Sequence, residues 1–333
     1  MSGVYAGDPD ALSMRAALKK IYRLEGLGDF GPGLVSGAIN RFKELAKEKK
    51  ENPPDPKWPT YKAGELGSFR KGLQTLPNAI ANILGESRVK TGWSLSKLGK
   101  DGDEFLATYE TPEGTKVVRA KAVYLTTPTA ATAKIAVDLV PAAARLAEVY
   151  SPPVASVTMA YKKEWFKELP GGTPKQPLRG FGHLLPRSMK IRSLGTIWSS
   201  SLFPGRAPQE WELLLTYIGG ARDPSIKDMT VDEIYAQVDA DNHKILLKDD
   251  APVGKKIGCR VWPTAIPQYR KGHLEILEAL ETDESKIPGL YLGGNYRTGV
   301  AFGDCVGFGV SEAAKVAKYL QNVATKSEQM ILV

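Results

Sequence analysis

The sequence predicts a mixed α/β chain of about two domains, and three observations carry that reading. The chain has 333 residues, 42% of them hydrophobic and 25% charged, a globular balance with apolar side chains enough for more than one core. Segments between Val154 and Tyr217 alternate apolar and polar residues with period two, the mark of a half-buried antiparallel sheet. Towards the carboxyl end, Leu290 to Asn295 reads as a short buried strand, followed by a glycine-spaced loop from Tyr296 to Gly303 and a helix from about Asp304 to Leu320.

Taken in order, the first helix is predicted from Ser13, with Leu12, Ala16, Leu18 and Ile21 as its apolar stripe and a stop at Gly26. A glycine-rich stretch to Gly37 leads to a second, charged helix ending near Glu51, and a proline-rich linker covers 52–59. Leu76 to Leu84 predicts a short helix with Leu76, Ile80, Ile83 and Leu84 on one face and Gly85 as its left-handed cap. Strands are expected over 87–95, 104–110 and 116–120, the last two joined by a turn at 111–114, and a buried strand over 122–127 is halted by Pro128. The sheet strands Val154–Tyr161, Ser193–Ser199 and Trp211–Tyr217 are followed by a helix, since Thr230 and Glu233 form a capping box ahead of an apolar face of Val231, Ile234, Val238 and Ile245. Ile257 to Trp262 is the next strand, and Val306, Val310, Ala313, Ala317 and Leu320 are the predicted buried side of the closing helix.

Composition excludes several functions. Lysine and arginine number 45 against 37 acids, a net charge of +8, but segments such as Lys43 to Glu51 mix both signs and read as a solvated surface, not a nucleic-acid stripe. Two cysteines, Cys259 and Cys305, and three histidines give no metal-ligand set and no disulfide framework. No run approaches the roughly 18 apolar residues of a spanning helix, so any membrane contact is expected to be peripheral, and the amino end carries no signal-peptide pattern.

Gly26-Leu27-Gly28-Asp29-Phe30-Gly31 satisfies the dinucleotide fingerprint as a string, yet the element before it reads as a helix where the mechanism needs a strand, so it is rejected as a decoy. A strand delivering glycines to a helix amino terminus can present backbone donors to a cofactor or can serve as a tight packing turn, and the pattern alone leaves both readings open. His183, His243 and His273 sit beside no nucleophile motif and read as structural; Cys305, close to the start of the last helix, could have a lowered pKa there or could pack beneath a cofactor. No catalytic residue is singled out. Sparse acid-base machinery suits a reaction whose chemistry resides in a bound cofactor.

Longer strings point further. Ser2-Gly3-Val4-Tyr5-Ala6-Gly7-Asp8-Pro9, Gly67-Ser68-Phe69-Arg70-Lys71-Gly72-Leu73, Leu194 to Pro204, Arg260-Val261-Trp262-Pro263 and Gly293-Gly294-Asn295-Tyr296 with Gly299-Val300-Ala301 resemble, in order and over nearly all of 1–320, the oxygen-dependent protoporphyrinogen oxidases of plastid type. That resemblance implies an FAD-dependent flavoprotein oxidising protoporphyrinogen IX with O2, with chloroplast localisation, no nucleic-acid partner, and a peripheral membrane contact and a homodimer left open. Its implied cofactor positions are Val89, on an adenine-side strand, Trp262, near the flavin, and Gly299, Val300 and Ala301, against the flavin edge. Its implied substrate positions are Gly3, Gly7, Leu184 and Phe203, and no metal is implied. For Val89, Leu184 and Phe203 ordinary core packing stands as the alternative.

The resemblance covers the carboxy-terminal two-thirds of those enzymes, so the expected fold class is an α/β FAD-binding domain without its amino-terminal Rossmann strand, joined to an antiparallel-sheet substrate domain. The implied boundaries place the end of a helical membrane-facing region at 1–38, the substrate domain at 39–75 and 151–262, and the FAD-binding domain at 76–150 and 263–325. On this reading the polypeptide by itself binds FAD weakly and turns over little substrate. A non-catalytic tetrapyrrole-binding protein that has lost its flavin is the alternative, and an FAD oxidase of amines fits the strings less well.

Overall fold

The computed structural model describes residues 2–27, 33–53, 56–57 and 66–331. Most of the rejected fingerprint and much of the proline-rich linker lie outside them. The chain divides into two compact units, Met1–Leu12 with Tyr124–Val333, and Ser13–Val123. These boundaries differ from those of the functional domains implied above, which cut across both units.

In the 13–123 unit, Ser13 caps the first helix by accepting the Ala16 N–H, but the helix breaks at Leu18 into Met14–Ala17 and Lys19–Glu25. The Leu34–Glu51 helix crosses close to the second piece at Gly37, where any Cβ would collide with the Leu24 carbonyl. The Thr75–Leu84 helix forms as expected, yet its apolar face is open, with Ile80, Ile83 and Leu84 all exposed. Gly85 ends it with a positive φ of 76° and an extended ψ of 165°, a conformation for glycine but not a left-handed helical cap. Strands β1 (Ser94–Asp101), β2 (Glu104–Thr111) and β3 (Gly114–Ala120) form an antiparallel meander around Leu98, Phe105 and Ala107. The strand expected over 87–95 is corrected: residues 86–88 turn, Val89 donates to the Gly85 carbonyl, and regular pairing starts only at Ser94.

The larger unit holds β4 (Val123–Leu125), β5 (Val154–Lys162), β6 (Gly182–Leu184), β7 (Ser193–Trp198), β8 (Trp211–Gly219), β9 (Lys255–Trp262) and β10 (Leu290–Leu292). β5 to β9 make an antiparallel sheet in the order β6-β7-β8-β5-β9, and β10 pairs with β4 in a separate two-stranded sheet. Alternation along β5 sends Ala155, Val157, Met159 and Tyr161 to one face, where they bury Ile234 and Val238 of the Val231–Ile245 helix. The capping box at Thr230 and Glu233 is present, although Val231 at the helix start is exposed. At the centre of this core Tyr161 donates to Asp239 Oδ1 at 3.0 Å and accepts from Asn242 Nδ2 at 3.2 Å, so its hydroxyl is satisfied where water cannot reach. Between Thr158 and Met159 the β5–β9 register shifts, leaving Ile257 opposite no residue.

The closing helix, Phe302–Ile331, overturns one expectation. Val306, Val310, Ala313, Ala317 and Leu320 are exposed, Val310 by 71%, while Asp304, Phe308, Glu312 and Val316 are the half-buried side. The periodicity is right and the face is wrong, because the helix has an apolar stripe broader than the strip that its neighbours cover.

Candidate functional site

Two surfaces of the larger unit concentrate the chemistry. The first is an open cavity of about 1160 Å³ beside the two-stranded sheet. Its walls are the chain leaving β4, from Thr126 to Ala130, the segment Val149–Ser151, Ala265 and Pro267, the turn at Gly294 and Asn295, and the side of the closing helix that carries Cys305, Phe308, Glu312, Val316 and Leu320. Most of this lining is apolar, and its polar groups include the Tyr124 phenol, the hydroxyls of Thr126, Thr127 and Ser151, the Asn295 amide and the Glu312 carboxylate.

The turn is built by glycines and held from below. A Cβ on Gly293 would collide with the Tyr124 hydroxyl and stand 2.8 Å from the Phe308 ring, and Gly294 has φ +135°, so neither position accommodates a side chain. The Tyr269 hydroxyl donates to the Asn295 carbonyl, and His273 Nε2 bonds the Tyr296 carbonyl at 2.8 Å. Glu284 accepts the Leu292 N–H at 2.9 Å and pairs with Arg297, tying strand to turn. Burial pushes the Glu284 carboxyl up against the pull of Arg297, pushes the Tyr296 phenol up to about 12, and holds the His273 imidazole low, hence neutral at pH 7. The expected loop over 296–303 is partly helical, since Asn295–Thr298 winds one turn before Gly299, and the helix beyond carries Asp304 in its first turn. Cys305 is corrected: desolvation and Asp304 push its thiol up, not down.

The second surface is the face of the five-stranded sheet opposite the core. Leu184, Ile197, Leu215, Tyr217, Arg260 and Trp262 lie on it by register, with Gly182, Gly195 and Gly258 giving it a low floor. Gly3 lies against Leu184, whose Cδ2 stands 2.8 Å from where a Cβ would be, and Gly7 presses on Gln268. Gln268 in turn donates to the Tyr5 carbonyl at 2.8 Å, and Ala6 packs with Val154 and Leu194, so residues 2–12 are fastened to this sheet. Phe203 follows the short Ser199–Leu202 helix beyond β7, half-buried, with Arg206 over its ring at 5.6 Å. The buried Glu212 carboxylate anchors that turn by accepting from Ser200.

The sequence-derived positions therefore fall into groups. Gly3, Leu184 and Trp262 share the open sheet face, with Gly7 and Phe203 on segments attached to the same unit. Gly299, Val300 and Ala301 join the turn to the closing helix, and the cavity is lined by the residues flanking them, not by these three. Val89 belongs to the 13–123 unit and sits in a non-strand segment, contrary to the strand expected there. Sequence reasoning passed over Tyr124, Asn295 and Glu312 in the cavity and the Glu284–Arg297 tie beneath it. The glycines around 293 signalled the turn; nothing in the sequence paired Glu284 with Arg297. A mainly apolar cavity with hydroxyls, an amide and a carboxylate in its lining can receive a planar heteroaromatic group, and within it the Tyr124 hydroxyl donates to Glu312 Oε2 at 3.3 Å.

A protoporphyrinogen oxidase of rice, described as chloroplastic, is 45% identical over 331 residues, covering 98% of this chain and 60% of its own length. The chloroplastic protoporphyrinogen oxidase 1 of Arabidopsis thaliana is 42% identical over 98% of this chain and 60% of its own. The chain thus spans about 60% of the length of these curated relatives. Among solved structures, a protein from Exiguobacterium sp. 255-15 superposes with TM-score 0.65 at 19% identity, covering 96% of this chain and 61% of its own. Reduced UDP-galactopyranose mutase does so with TM-score 0.53 at 14% identity, over 88% and 57%. The family profile described as flavin-containing amine oxidoreductase matches residues 1–317, and the chain belongs to that family.

Proposed function

We propose that this chain carries the flavin-facing turn and the substrate-facing sheet of a plastid protoporphyrinogen oxidase, which oxidises protoporphyrinogen IX to protoporphyrin IX while O2 is reduced to H2O2 in haem and chlorophyll synthesis. The observation that carries the reading is the 45% identity over 331 residues, a span of 98% of this chain. FAD is the proposed flavin, and the residues present fit such a group: the glycine wall at 293–294 and the apolar cavity leave room for a planar ring with polar edges. When bound, the flavin supplies the electron acceptor for hydride removal, three times per macrocycle. The chain's own residues orient and exclude water: Gly294 and Asn295 bound the cavity, Gly299, Val300 and Ala301 are proposed against the flavin edge, Trp262 near the flavin and Val89 at the adenine side. Gly3, Gly7, Leu184 and Phe203 are the proposed contacts to the tetrapyrrole, where an aromatic face and a branched aliphatic side chain can pack against pyrrole rings.

Chloroplast localisation comes with this reading. A peripheral membrane contact is supported by the exposed Val35, Ile39 and Phe42 of the Leu34–Glu51 helix; among the described residues no helix is long and apolar enough to cross a membrane.

The test is the appearance of porphyrin fluorescence from protoporphyrinogen IX under air, with FAD in excess, against the protein-free rate. Flavin-dependent acceleration supports the proposal. The expected acceleration is small, in keeping with weak FAD binding by this polypeptide; porphyrin binding with no flavin-dependent acceleration at all favours a tetrapyrrole-binding protein that does no redox chemistry, and neither binding nor acceleration removes both readings.

A further inference from the structure

The register of the five-stranded sheet carries one transverse row from edge to edge. Leu184 lies opposite Gly195, Gly195 opposite Tyr217, Tyr217 opposite Ser156, and Ser156 opposite Arg260. Directly opposite residues share a face, so an apolar side chain stands at one end and a guanidinium at the other, four strand spacings or roughly 19 Å apart. Leu184 is 57% exposed, Arg260 is exposed, and Gly195 and Ser156 keep the row between them low around Tyr217.

Arg260 stands apart from the ion-paired arginines of this chain. Arg41, Arg119, Arg192, Arg222 and Arg297 each hold a carboxylate. Among the described residues no carboxylate pairs with Arg260; its guanidinium lies instead over the Trp262 ring, 4.9 Å from the centroid. Trp262 is two residues along the same strand and so on the same face, itself 47% exposed. A guanidinium stacked on an indole keeps its N–H edges available to donate. Arg206 and Arg270 lie over rings in the same way, Phe203 and Tyr150; what sets Arg260 apart is its place in the row, on the face that carries Leu184, Tyr217 and Trp262.

We propose that Arg260 is the carboxylate anchor of this face: it takes a propionate-type carboxylate of the macrocycle by charge-assisted hydrogen bonds while Leu184, at the far end of the row, contacts the apolar rings. This assignment rests on the tetrapyrrole reading above.

The experiment titrates the full chain with protoporphyrin IX and with its dimethyl ester at fixed detergent concentration, following tryptophan quenching. The diacid is expected to bind about tenfold to a hundredfold more tightly than the ester. Arg260→Met abolishes that preference by weakening the diacid alone, and Arg260→Lys retains part of it. Unchanged circular dichroism and melting of the variants establish that they fold. A preference that survives in Arg260→Met, a wild-type chain that binds acid and ester alike, or an equal loss for both ligands overturns the anchor and leaves the tetrapyrrole reading standing. A wild-type chain that binds neither ligand removes the reading and the anchor with it.

Discussion

Arg297 forms an ion pair with Glu284 beneath the glycine turn, and both side chains are mostly withdrawn from water, at 18% and 15% exposure. Removing one partner strands the other in a poor dielectric. Glu284→Gln or Arg297→Met is therefore expected to lower unfolding stability by about 2–4 kcal/mol, read as a shift in the urea midpoint. A variant within about 0.5 kcal/mol of wild type would show that water already screens the pair.

His273 is 4% exposed, stacks on Tyr269 at 4.5 Å and bonds the Tyr296 carbonyl. Desolvation lowers its pKa from the ordinary 6.5. A group held neutral in the fold binds its proton more readily when unfolded, so its contribution is complete above pH 6.5 and declines as pH falls through the folded value. Melting between pH 7 and pH 5 should fall more steeply in wild type than in His273→Gln. Equal slopes would assign the acid sensitivity elsewhere.

Asp223 is also shifted down, for a different reason. Desolvation alone would raise its carboxyl, but the two-pronged grip of Arg192, at 2.7 and 3.0 Å, together with Ser225, brings it below 3.8. The stability it supplies is present above that pH and lost as pH falls further. Asp223→Asn should cost about 1–3 kcal/mol at pH 7 and should bring the mutant and wild-type curves together as acid is added below pH 4. Curves that stay parallel would exclude the ion pair as the cause.

Gly293→Ala places a methyl group against Tyr124 and Phe308. Overpacking of this kind costs about 1–3 kcal/mol. Because the methyl displaces the closing helix, flavin binding is expected to weaken more than the melting temperature falls; a loss of stability with unaltered flavin affinity would detach the turn from the cofactor.

Phe203→Ala should weaken porphyrin binding by about tenfold, the worth of an aromatic contact with its buried area, and leave flavin affinity alone. Unchanged porphyrin affinity would remove Phe203 from the substrate surface.

Much of the architecture was legible because its signals are local. The period-two strands around Val157 and Leu215, the capping box at Thr230 and the glycines at 293–294 each state their own conformation. What failed depended on partners distant in sequence. The apolar residues of the closing helix were read as buried because a stripe normally is, yet which part of a stripe gains cover is decided by neighbouring elements that periodicity does not name. Val89 has strand propensity and no strand to pair with. The transverse row from Leu184 to Arg260 was out of reach for the same reason, since it exists only through the register of five strands.

The unmatched Ile257 sets the phase of that row. Simple alternation would turn Lys256, Gly258, Arg260 and Trp262 all the same way; the extra residue lets Lys256 reach Asp232 on the helix side while Arg260 and Trp262 look outward. Excising Ile257 would straighten the edge strand and force a choice, either Lys256 abandoning Asp232 or Arg260 swinging towards the hydrocarbon around Tyr161. One surplus amino acid thus lets a single strand face two ways, with Lys256 turned to the helix behind it and Arg260 and Trp262 turned outward.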